Sequence, residues 1–208
     1  MPSFAHEAAV TQLLLGAIRL PYTGLSNPLA RHGRETGADV EICFEGRNVG
    51  IQVTDCCADE GIADPGRGLR ATEKRNAARG EFPAYPIPLQ HQLTTLFLRA
   101  NDKIAKARRY SFLEFDEVWL LLAGSLAQVD AIVSTSIIPQ LITADDLNRH
   151  LDDALRHSKY ERAFLHIQVG DTVYEWTHAN RWQIVHGTAR PEPTGRELWF
   201  TTFLPRFP

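Results

Sequence analysis

The stretch ADVEICFEGRNVGIQVTD (38–55) sets oxygen-bearing side chains two residues apart on two short runs, Asp39 and Glu41 on the first, Gln52 and Thr54 on the second. Carboxylate and amide oxygens that converge suit a hard cation such as Mg²⁺. That ion takes one or two carboxylates, waters and substrate phosphates, and can activate a water for phosphodiester hydrolysis.

Convergence depends on the backbone beneath. Strand formers flank the turn-rich tetrad Glu45-Gly46-Arg47-Asn48, so the segment predicts a β-hairpin. If Phe44 pairs with Val49 across a four-residue loop, period-two alternation puts Val40, Ile42, Phe44, Val49, Ile51 and Val53 on one apolar face. The same register puts Glu41 opposite Gln52 and Asp39 opposite Thr54 on the other face, with opposed Cβ atoms about 5 Å apart. An ordinary hairpin with one solvated face shows the same alternation.

The elements around the hairpin follow from spacing. Phe4 to Leu20 predicts a helix ended by Pro21, and Pro21 to Gly37 reads as a long surface loop. Gln90 to Tyr110 predicts a helix with Leu93, Leu96, Phe97, Ala100 and Ile104 in its buried stripe, and it carries Lys103 and Lys106. Glu117 to Ala123 is nearly all apolar, as a strand covered on both faces requires. Thr143 followed by Asp145 and Asp146 caps a helix whose buried residues are Leu147, Leu151 and Leu155. His150 and His157 on that helix read as surface residues. Ala163 to Val169 and Thr172 to Trp176 predict a second hairpin, and Trp176, Trp182 and Trp199 read as packing residues.

Composition bounds the classes. At 208 residues and 44% hydrophobic content the chain is long enough for one domain, residues 1–208, with no repeat or long linker. Three cysteines without CxxC spacing predict core thiols in a reducing, cytoplasmic compartment. The N-terminal apolar run has no basic flank or cleavage site, and no stretch reaches the ~18 apolar residues of a membrane span. A net charge of -3 argues against indiscriminate coating of nucleic acid. Yet Arg67, Arg70, Lys74, Arg75 and Arg79 cluster in one segment, and Arg99, Lys103, Lys106, Arg108 and Arg109 in another. These are candidate phosphate-facing patches, or solvated helix faces. No GxSxG elbow, P-loop, GxGxxG or HExxH is present.

A helix bearing Glu7, a strand opening with Asp39 and a return strand reading Ile51-Gln52-Val53-Thr54 resemble the PD-(D/E)XK nuclease-like superfamily over roughly residues 4 to 123. The resemblance implies a three-layer α/β/α restriction-endonuclease-like core, a mixed central sheet with the second hairpin added at its C-terminal end. It further implies Mg²⁺ or Mn²⁺ as cofactor and DNA or RNA as substrate. Asp39 would be the principal metal ligand, Gln52 would stand at the second acid, Glu41 would offset its neutrality, and Glu7 would approach the metal from the helix. Thr54 occupies the lysine position and carries no charge to stabilise the reacting phosphate. In the superfamily a helix packs beside the site, so Lys103, Lys106 or Lys74 could supply the missing amine. Three functions stay open: a metal-dependent phosphodiesterase, an inert nucleic-acid-binding module in which residues 67–79 and 99–109 hold the ligand, and a protein-interaction domain.

Overall fold

The computed structural model describes residues 4–56, 89–124, 142–167 and 171–187. Helix α1 (Phe4–Ala17) buries Val10, Leu14 and Leu15. It stops short of Pro21: Arg19 adopts a φ of 52°, and the amides of Arg19 and Leu20 donate to the carbonyls of Gly16 and Leu15 at 3.1 and 2.9 Å. This pair of bonds is a Schellman closure, which ends a helix without a proline.

The expected loop from Pro21 to Gly37 contains strand β1 (Thr23–Ser26) and helix α2 (Pro28–His32). Asn27 Oδ1 accepts from the amides of Leu29 and Ala30 at 2.9 and 3.4 Å, Pro28 fills the first turn, and Gly33 closes the helix at φ 67°. Asn-Pro at one end and Gly at the other are start and stop signals, here only five residues apart, which is why the segment reads as loop.

Strands β2 (Val40–Phe44) and β3 (Arg47–Asp55) form the expected hairpin on a tighter turn. Glu45 and Gly46 both take positive φ, 50° and 77°, as a two-residue type I′ turn requires, and Phe44 faces Arg47 rather than Val49. The register thus differs from the expected one by an even number, so the faces survive. Val40, Ile42, Phe44, Val49, Ile51 and Val53 share one cluster with Val10, Leu14 and Leu15 of α1. The cross-strand partners do change: Glu41 lies opposite Gly50, not Gln52.

Helix α3 (Leu89–Ala107) leads to strand β4 (Glu117–Gly124), and helix α4 (Ala144–Arg156) to strand β5 (Arg162–Ile167). Both crossovers join parallel neighbours, β3 to β4 and β4 to β5. Leu96, Ala100 and Ile104 of α3 and Leu147, Leu151 and Leu155 of α4 pack in one cluster with Leu120 and Leu122, on the face away from α1. Alternation along β4 explains the division, since Trp119 and Leu121 face α1 while Leu120 and Leu122 face α3 and α4. Strands β6 (Thr172–Thr177) and β7 (Gln183–His186) complete a mixed sheet of seven described strands in the order β1 to β7. The second hairpin joins that sheet at its C-terminal end. Strand β5 is buried on both faces and pairs with β4, so its hairpin continues the main sheet.

Trp176 and Trp182 are buried, and His150 and His157 are exposed. Trp199 and the segment 67–79 lie outside the described residues. Among the described residues no helix is long and apolar enough to cross a membrane.

Candidate active site

Asp39 stands just before β2, where the hairpin opens toward α3. Its amide donates to Ile51 O at 2.9 Å, and its Oδ2 accepts from Val53 N at 2.8 Å, so backbone and side chain are both fastened to β3. Lys103 Nζ donates to the same Oδ2 at 3.2 Å. Lys103 sits three residues after the buried Ala100 and one before the buried Ile104, at the margin of the apolar stripe of α3. From there its stem runs along the core edge while the ammonium reaches the carboxylate. Side-chain exposure of 23% for Lys103 and 27% for Asp39 leaves the pair open to a ligand.

Lys103 lines an open cleft of about 490 Å³ together with Thr54, Leu98, Arg99, Asp102, Lys106 and Tyr110. Thr54 and Lys103 thus share one cleft, and the buried Thr54 Oγ1 has no hydrogen-bond partner among the described residues. Lys106 lines the same cleft but pairs with Asp102 at 2.6 Å on an exposed helix face. Lys74, with Arg67, Arg70 and Arg75, lies outside the described residues.

Glu7 belongs to the same electrostatic neighbourhood from the α1 side. Burial raises its pKa above the ordinary carboxylate value, the negative charge of Asp39 adds to that, and Lys103 and His6 oppose it.

The other two expected ligands are committed elsewhere. Glu41 is fully buried against α2, where Arg31 Nη1 donates to Oε1 and His32 Nε2 lies 3.0 Å from Oε2. Its charge is answered by α2, an element hidden in the expected loop. Gln52 is 1% exposed, its Nε2 donates to Gly37 O, and its Oε1 accepts from Tyr160 Oη. Neither residue is turned toward a cation at Asp39. Nor does Asp39 oppose Thr54, since the tighter turn sets it beside residues 51–53.

No family model, curated protein or solved structure matches this chain.

Among the described residues no group of three or more His, Cys, Asp and Glu side chains is placed to hold an ion. Among the described residues, Asp39 and Glu7 are carboxylates within electrostatic reach of Lys103, and two carboxylates with waters and a phosphate suit Mg²⁺ or Mn²⁺ better than a metal that needs a closed protein cage. Sequence reasoning missed Arg31, His32, Gly37, Tyr110 and Tyr160. Only the first two had a local signal, the Asn27-Pro28 start of α2.

Proposed function

We propose that the chain is a nuclease-like domain of the three-layer α/β/α restriction-endonuclease type, cytoplasmic, that hydrolyses a phosphodiester of DNA or RNA. Asp39 and Glu7 would hold Mg²⁺ or Mn²⁺, and Lys103 would take the place of the lysine that Thr54 replaces. The observation that carries this reading is Lys103 Nζ at 3.2 Å from Asp39 Oδ2, on a side chain that lines the same cleft as Thr54.

The bound cation would supply Lewis acidity and an activated water. Asp39, with Oδ2 already fixed by Val53 N, is preorganised to meet a cation without reorienting. Lys103 neutralises Asp39 in the absence of ligand. With a phosphate in the cleft, its ammonium can shift toward the equatorial oxygens, where negative charge builds as water, giving up a proton to solvent, adds at phosphorus and the ester oxygen leaves and takes up a proton from solvent. A contact of that kind commonly contributes about 10² to 10³ in rate. Lys106 adds positive charge at the rim of the cleft.

The test is cleavage of single- and double-stranded DNA and RNA with Mg²⁺ or Mn²⁺ by the wild type and Asp39→Ala. Loss of cleavage in the variant is expected, and cleavage that survives it sinks the assignment. A second reading, an inert nucleic-acid-binding module, is favoured by the engagement of both Gln52 and Glu41 in internal bonds. It calls for salt-dependent binding that needs no metal and persists in Asp39→Ala.

A further inference from the structure

We infer that Gln52 and Tyr160 are positioning residues that fasten the segment carrying Asp39, and that position 52 rejects the carboxylate which the nuclease-like motif places there. The inference deepens the functional reading above and rests on it only where metal is concerned; the fastening itself is a matter of packing.

The orientation of the Gln52 amide follows from its partners. Gly37 O can only accept, so the NH₂ end of Gln52 faces it. The carbonyl end therefore faces Tyr160, whose hydroxyl must donate. Tyr160 is fully buried, and burial, the charge of Asp39 and the neighbouring Tyr110 all push its pKa up, so it keeps the proton it donates.

The segment held in this way has no slack. Gly37 has a φ of 85°, and a Cβ there would sit 2.5 Å from Cγ of Tyr110, so the chain passes directly over that ring. Two residues later Asp39 bonds to Ile51 O and Val53 N at 2.9 and 2.8 Å. Residues 37–39 are thus tied to three consecutive positions of β3: the carbonyl of 51, the side chain of 52 and the amide of 53. The middle tie sets where the Asp39 carboxylate stands relative to Lys103.

An ionised glutamate at position 52 has no N–H to give Gly37 O, sets one acceptor against another in a place shut off from water and loses the tie; a protonated one can keep the tie only by giving up the charge that a metal would need. The position that offers a metal ligand in the motif here aims both its polar atoms at the protein.

The test is amide hydrogen exchange by NMR on the wild type, Gln52→Glu and Tyr160→Phe, with Mn²⁺ affinity by calorimetry. We expect exchange at the Asp39 and Val53 amides to quicken by about tenfold in Gln52→Glu, the effect of one lost buried bond. The Leu151 and Leu155 amides of α4 should be unchanged, and Mn²⁺ should bind no more tightly than to the wild type. Unchanged exchange at Asp39 and Val53 in Tyr160→Phe, or tighter Mn²⁺ binding in Gln52→Glu, would overturn the inference. If Gln52→Glu does not fold, Tyr160→Phe decides by the same local exchange, since it removes one hydroxyl and keeps the ring. A wild type that binds no Mn²⁺ removes the metal reading of the preceding section and leaves the exchange result to decide this one.

Discussion

Lys103 on α3 donates to Asp39 at the mouth of β2 across 64 positions of sequence, at 3.2 Å, and Lys103 and Thr54 line one cleft. On the proposed nuclease reading, the positive charge that Thr54 cannot carry is supplied from α3. Coulombic stabilisation depends on where a charge sits and not on which element carries it, so the exchange is chemically sound.

The proposed role of Lys103 can be moved back to the strand. Lys103→Met is expected to lower cleavage by about 10² to 10³, and Lys103→Met with Thr54→Lys to recover part of it, because both positions open on one cleft. Single-turnover rates on one oligonucleotide measure this. Full activity in Lys103→Met would remove the lysine from the reaction.

Glu7 carries a pH signature. Its folded pKa is raised by burial and then by Asp39, so its contribution to stability is fully present below the unfolded value near 4.3 and is lost as pH rises through the folded value. Glu7→Gln is therefore expected to match the wild type in acid and to exceed it in stability at neutral pH, while weakening Mn²⁺ binding. Urea denaturation at several pH values reads the first effect and calorimetry the second; a variant less stable at pH 7 would contradict the assignment.

Asp152 has the opposite sign. Burial opposes its ionisation, but hydrogen bonds from Trp176 Nε1 at 2.8 Å and Arg156 Nε at 3.0 Å, with the charges of Arg181 and Arg156, outweigh it and hold the pKa low. Its contribution is present above the unfolded value near 3.9 and is lost as pH falls through the folded one. Asp152→Ala strands the buried indole N–H and is expected to cost about 2 to 3 kcal/mol at pH 7, with less loss in stronger acid. Thermal melts across pH provide the check, and an equal loss at every pH would show that only packing was removed.

Helix α4 begins in a reciprocal cap. Thr143 Oγ1 accepts from Asp146 N at 3.1 Å and the Asp146 carboxylate accepts from Thr143 N at 3.2 Å. Thr143→Ala is expected to cost about 1 kcal/mol. Denaturant midpoints with an unchanged slope would bear this out, and a loss below a few tenths would mean that the cap is replaced by water.

Much of this molecule was legible without coordinates because alternation and helical spacing are local. The apolar face of the hairpin, the buried leucines of α4 and the doubly covered strand β4 all follow from residues within a few positions of one another. The hairpin shows why faces are firmer than partners. A type I′ turn at Glu45-Gly46 displaced the expected pairing by an even step, so each side chain kept its face while Glu41 came to lie opposite Gly50. What tertiary structure alone decided was which oxygens are spent inside. Arg31 and His32 claim Glu41, Gly37 and Tyr160 claim Gln52, and Lys103 rather than Lys106 meets Asp39. Those pairings join positions from nine to more than a hundred apart, and no periodicity reports them. They are set where elements meet, because a buried polar atom must find its partner there or lose the water it gave up.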